Sequence, residues 1–235
     1  MIKVTRSDER HHANFGWLDT HWHFSFDSYH DPKNMNWGAL RVFNDDTVEP
    51  GQGFGTHPHR DMEIVTYVLS GEFEHQDSHG HRGVVHPGEV QVMSAGTGIL
   101  HSEYNHSKEN PVHFIQLWVL PRTQGLRPRW EQRRFSRGER AGKLLPVVSA
   151  GDVAETLAID QDAQIFVSAL QGGEEVVHQS RAGRKAYLFV TEGSVRVNGH
   201  ELAAGDQARI AGESQLKIQT QQGGELMLLD LPAKP

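Results

Sequence analysis

The chain has 235 residues, a formal net charge of −7, and a composition that is 37% hydrophobic and 23% charged. That balance fits a globular protein with one large all-β domain or two of modest size, and excludes a disordered chain. The acidic balance also argues against nucleic acid or an anionic membrane as a direct partner.

The opening segment, MIKVTRSDERHHANFG, has no apolar run behind its charges, so no secretory signal is expected. Nothing approaches the roughly 18 apolar residues of a membrane span, and the expected compartment is the cytoplasm. There is no cysteine, so any metal must be held by nitrogen and oxygen. Of 16 histidines, 14 lie at or before His113. His11, His12, His21 and His23 are expected to pack or hydrogen-bond near the N-terminus, since His21-x-His23 has no partner pair.

Short apolar runs punctuated by Gly, Pro and Asn predict strands. Ile64–Leu69 stops at Ser70-Gly71, Val112–Leu120 at Pro121, and Ala186–Val190 at Glu192-Gly193. The tip Glu74–His81 reads as solvated loop polarity. The arginines at 127, 129, 133 and 134, interleaved with Trp130, read as a linker tied by ion pairs. A short helix is expected near Ser149–Leu157. Val195-Arg196-Val197 leads into Asn198-Gly199, a strong hairpin signal.

Tyr67–Glu74 is echoed by Phe189–Val195, each as strand, glycine turn, strand. A repeat at that spacing predicts two copies of one β-domain, residues 1–135 and 136–235, with the boundary in the polar stretch 136–142.

Thr56-His57-Pro58-His59 places two imidazoles at i and i+2, on one face of a strand. His101-Ser102-Glu103 repeats the spacing with a carboxylate. Three nitrogens and one oxygen suit a divalent transition metal and leave positions open for substrate or O₂. Glycines precede both pairs, at Gly51, Gly53 and Gly55 and at Gly96 and Gly98, and allow close backbone approach.

These segments resemble the two motifs of the cupins. The first has Gly51, five residues, His57, His59 and later Gly71; the second has Gly98, two residues, His101, then three residues to Asn105. The strings GQGFGTHPHRDMEIVTYVLSGEFEHQDS, QVMSAGTGILHSEYN and PRWEQRRF resemble the pirin branch, specifically bacterial pirin-like proteins described as quercetin 2,3-dioxygenases. The resemblance implies an all-β fold of two tandem cupin barrels. It implies one divalent metal per chain on His57, His59, His101 and Glu103. Fe is the first expectation, with Zn, Mn, Ni, Co or Cu suited to the same donors.

One departure matters. The first cupin motif closes with a ligating Glu separated from its glycine by six residues. Here Glu63 is one residue further from Gly71, and Ile64 takes that place. Glu63 shares strand parity with His57 and His59, so it is expected to touch the ligands rather than the metal. In the second half the ligand positions fall near Gln179, Arg181, Lys217 and Gln219, with His178 alone beside them. That barrel is expected to be metal-free.

The implied activity is cleavage of a flavonol by O₂ to a depside and carbon monoxide, with Glu103 as ligand and base and Glu63 as the second choice of base. A flat substrate needs an apolar pocket, expected from Phe54, Met93, Phe114 and Leu117. The expected partners are a flavonol and O₂, and the expected state is a monomer. The rival reading is a non-enzymatic, metal-binding regulatory or redox-sensing protein; an isomerase or a metal buffer has no specific support.

Overall fold

Strand-forming β-branched and aromatic residues dominate the chain between glycine turns, and the fold follows from them. The computed structural model describes residues 1–234. Twenty-one strands and one 3₁₀ turn, Ser7–Glu9, make up its regular structure, with no α-helix among the described residues. Among the described residues no helix is long and apolar enough to cross a membrane.

The first half folds into two sheets. One runs, in spatial order, Arg129–Arg134, Glu89–Ser94, Glu63–Ser70, Val112–Val119, Leu40–Val48, Leu18–Trp22 and His11–Asn14. The other runs Gly53–His59, Ile99–Asn105, Phe73–Asp77 and Arg82–Val85. Every pairing in these two sheets is antiparallel. The second half forms a ten-stranded sheet around Arg184–Val197 and Gly224–Pro232. Ile2–Thr5 belongs to that sheet, paired with Gln207–Ala211.

Alternation sorts the side chains. On Val112–Val119, the odd residues Ile115, Leu117 and Val119 join Phe43, Val65 and Tyr67. These pack against Val147, Val167, Tyr187, Phe189, Met227 and Leu229 of the second barrel, so the largest apolar cluster lies between the barrels. The interior of the second barrel is filled by aliphatic side chains such as Leu188, Val190, Leu216, Ile218 and Leu228. Even residues of Val112–Val119 face into the first barrel instead, where the interior is only partly filled.

The Asn198-Gly199 hairpin forms as expected, with both residues at positive φ and Val197 paired to His200. The helix expected at Ser149–Leu157 does not. Gly151 and Glu155 adopt positive φ, and the Ser149 and Thr156 hydroxyls bond each other at 2.7 Å. Short polar side chains here close turns on themselves, which outcompetes helical pairing. Nor does Glu192-Gly193 end its strand. Arg184–Val197 is continuous, with a register shift between Val190 and Glu192, and serves two sets of neighbours. The expected ion-paired linker is in part an edge strand. Within it Arg129 donates to the Ala158 carbonyl at 2.6 Å and Arg133 contacts Glu155, tying the first barrel to the second.

Candidate metal centre

Gly53–His59 lies antiparallel to Ile99–Asn105, with His101 directly opposite His57 and Ile99 opposite His59. Parity puts His57 and His59 on one face, and the register brings His101 to the same face. A register shift between His101 and Glu103 sets Glu103 opposite Phe54. The close approach depends on Gly53, where a Cβ would lie 2.2 Å from the Glu103 carbonyl oxygen.

The three imidazoles converge. Their candidate ligand nitrogens all lie within 4.8 Å of one another. His57 donates from Nδ1 to the Gly55 carbonyl at 2.7 Å, so that in the neutral ring Nε2 is the lone pair available to a metal. That Nε2 faces His101 Nε2 at 3.0 Å. Burial, and then the neighbouring His57, lower the His59 pKa to about 4. Burial also lowers His101, reinforced by His57, His59 and His75. Both rings are therefore neutral at physiological pH, as metal ligands must be.

Glu103 is 3% exposed. Its Oε2 accepts from Gln116 Nε2 at 3.0 Å, and Gln116 Oε1 in turn accepts from Trp118 Nε1 at 3.3 Å. Burial pushes the carboxyl up to about 7, opposed by the Gln116 bond. Its Oε1 has no hydrogen-bond partner among the described residues and lies 3.7 Å from His101 Nδ1. The structure thus groups the three histidines tightly, and groups Glu103 with His101 and His75 instead of with all three. Three facing imidazoles beside an unpaired buried carboxylate oxygen are a donor set that fits a divalent transition metal.

A cavity of about 560 Å³ opens on His57, His59 and Glu103. Six aromatic side chains line it, Phe15, Trp17, Trp22, Phe26, Phe54 and Trp118, together with the polar Asp27, Asn44, Asp46 and Gln116. Trp118 packs edge-on against His59, with ring centroids 4.8 Å apart. Of the four side chains expected to line a pocket, Phe54 does so. Phe114 packs with Phe73 and Val48 deeper in the barrel, and Met93 with Ile64 and Ile99. Leu117 points the other way, into the inter-barrel core. Gln116 and Trp118, its neighbours of opposite parity, are the ones that reach the cavity.

Glu63 is likewise not beside the histidines. The chain turns between His59 and Glu63, with Asp61 at φ 49°, so the parity count restarts. Glu63 shares its face with Val65 and Tyr67, toward the second barrel, and accepts from Ser94 Oγ at 2.6 Å. Arg129 lies 3.9 Å away. Glu63 contacts the ligands through no hydrogen bond among the described residues.

The tip expected to be solvated loop polarity is otherwise at His75 and Asp77, which lie on the strand Phe73–Asp77. Both are buried, and the His75 ring stacks on Trp130 at 5.2 Å. Asp77 Oδ2 lies 3.3 Å from His75 Nε2 and 2.8 Å from His81 Nδ1. The available signal was the alternation Phe73, His75, Asp77 on a strand whose first member is apolar. Elsewhere, His23 is buried between the barrels, stacked on Phe43. His12 bonds Asp19, and His11 stacks on Tyr29. In the second barrel Gln179 is exposed, Lys217 is 3.4 Å from Glu175, and His178 is held by Asp230 at 2.7 Å.

Comparison with known proteins places this geometry in context. The Pirin family model matches residues 4–119, and the model described as the quercetinase C-terminal cupin domain matches residues 146–231. The quercetin 2,3-dioxygenase of Escherichia coli K12 is 48% identical over 233 residues, covering 99% of each chain. A pirin-like protein of Caulobacter vibrioides is 44% identical over 231 residues, covering 98% of this chain and 99% of its own. The crystal structure of a bacterial pirin from E. coli in complex with nickel(II) superposes with a TM-score of 0.94 at 46% identity, over 99% of each chain. With two barrels in tandem and family-level identity along its whole length, this chain belongs to the pirin family of the cupins.

Proposed function

We propose that this protein is a metal-dependent dioxygenase that opens the central ring of a flavonol such as quercetin with O₂, forming a depside and carbon monoxide. The observation that carries the reading is the aromatic cavity of about 560 Å³ opening directly onto three converged imidazoles. That size and lining suit a flat, drug-sized ligand. The names of the full-length relatives support the same chemistry.

In this reading His57, His59, His101 and Glu103 hold one divalent transition metal. Fe is the first choice, and Zn, Mn, Ni, Co and Cu suit the same donors. When bound, such an ion supplies Lewis acidity that lowers the pKa of a hydroxyl touching it. Trp17, Phe54 and Trp118 orient the flat rings and exclude water. Glu103 accepts the proton of the flavonol 3-hydroxyl, and its Gln116 partner steadies the carboxylate. Glu63, facing the second barrel, takes no part in that transfer. The protein acts as a cytoplasmic monomer whose partners are the flavonol and O₂; the apolar faces of its two barrels already cover each other.

The test loads purified protein with each metal in turn and follows quercetin absorbance in air. Consumption by at least one metal form, lost in His57→Ala and Glu103→Ala, is the expected result. If no form consumes quercetin while both variants still lose metal, the dioxygenase reading is replaced by a regulatory metal site.

A further inference from the structure

The cavity contains polar groups that the metal ligands do not use. Asp46 lies on Leu40–Val48 and lines the cavity, although it is only 3% exposed. The Thr20 hydroxyl, from the neighbouring strand, donates to its Oδ1. Its Oδ2 has no hydrogen-bond partner among the described residues. Asn44 sits two positions earlier on the same strand face and also lines the cavity. It is buried, and its Oδ1 has no donor among the described residues. The same cavity is lined by the aromatic rings of Trp22, Phe26 and Trp118, with Gln116 opposite Asn44 on the neighbouring strand.

A buried polar atom without a partner costs stability. Asn44 Oδ1 is such an atom, and Asp46 beside it brings a carboxyl oxygen without a donor to the cavity wall; a ligand in the cavity would supply the missing hydrogen bonds. Burial raises the Asp46 carboxyl to about 8, with the nearby Asp45 and Glu103 pushing the same way against the Thr20 bond. A phenolic hydroxyl both donates and accepts, so it satisfies this carboxyl in either protonation state. A bare aromatic ring satisfies neither Asp46 nor Asn44.

We propose that Asp46 and Asn44 form a hydroxyl-recognition ledge, which selects hydroxylated planar aromatics over unsubstituted ones of the same shape. The choice of probes rests on the flavonol reading above. Asp46 acts here by hydrogen bonding to the ligand, at a place distinct from the imidazole cluster.

The test measures binding without O₂, by quenching of tryptophan fluorescence, for quercetin and for unsubstituted flavone. Each is titrated into nickel-loaded and metal-stripped protein. Asp46→Leu is expected to weaken quercetin at least tenfold in both forms and to change flavone less than twofold. Asn44→Leu should act in the same direction, and Asp46→Asn, which keeps shape and hydrogen-bonding capacity, should lose less. Melting temperature checks that each variant is folded, and Asp46→Asn with Asn44→Leu carry the test if Asp46→Leu is not. Equal losses for both probes, or none for quercetin, overturn the ledge. Wild-type protein that binds neither probe overturns the flavonol reading and the ledge with it. Wild-type protein that binds quercetin without consuming it, with the variants behaving as expected, leaves the ledge standing while the reaction falls.

Discussion

His57 and His101 face each other across two antiparallel strands, with their Nε2 atoms 3.0 Å apart. With Nδ1 donating to Gly55, the neutral His57 ring turns its Nε2 lone pair toward His101. A proton or a cation must therefore lie between the two nitrogens, and a metal ion competes for that place.

The pH dependence of metal affinity follows. His59, lowered to about 4, and His101, lowered by burial, are already unprotonated above pH 5 and add no slope there. Glu103, raised to about 7, must lose its proton to ligate. Affinity should fall as pH drops below 7, with Glu103 contributing up to about tenfold per unit. Titrations at pH 6, 7 and 8 should show a steeper slope for wild type than for Glu103→Gln. Equal slopes would remove Glu103 from the ligand set.

Gly53 sets the spacing of the two ligand strands. In Gly53→Ala the new Cβ would meet the Glu103 carbonyl oxygen at 2.2 Å and Tyr104 Cα at 2.5 Å, both backbone. The strands must separate, at a cost of about 1–3 kcal/mol. Urea unfolding should show that loss, and metal affinity should fall with it because His57 and His101 move apart.

Strand parity distinguishes Leu117 from Trp118. Leu117→Ala should destabilise the fold by about 2–5 kcal/mol through a cavity between the barrels, leaving quercetin binding unchanged. Trp118→Ala should do the reverse, weakening quercetin severalfold at a smaller stability cost, since Trp118 is half-buried on the cavity wall. Paired unfolding and binding measurements decide the matter.

A polar contact also joins the barrels. Arg10 donates to His23 Nε2 at 3.1 Å, so the His23 proton sits on Nδ1 and points to the Tyr187 hydroxyl at 2.5 Å. Tyr187→Phe strands that buried N–H and should cost about 1–3 kcal/mol. The loss should appear in the urea midpoint, with metal content unchanged.

Much of the site was readable because it is local. The HxH spacing, the glycines that let strands approach, and the second His-x-Glu pair need only strand periodicity and a motif. What failed to read was what a turn can reset. Glu63 looked in phase with His57 until the chain bent at Asp61 and parity began again. Leu117 and Phe114 were apolar and nearby in sequence, but only register and sheet order decide which face meets the cavity. His75 looked like loop polarity because its burial comes from Trp130, more than fifty residues away. The aromatic wall draws on Phe15, Trp17 and Trp22, whose place over the metal pair depends on pairing between Leu18–Trp22 and Leu40–Val48.

The pairing of Ile2–Thr5 with Gln207–Ala211 has a consequence for synthesis. Those first residues leave the ribosome early, yet their partner strand emerges only after some two hundred more have been made. Until then the first strand is open to other chains. The closing of this pair is therefore a late, long-range event in folding. It also means that scission in the polar stretch 136–142 cannot yield two self-sufficient pieces, because one barrel borrows a strand from the far side of the cut.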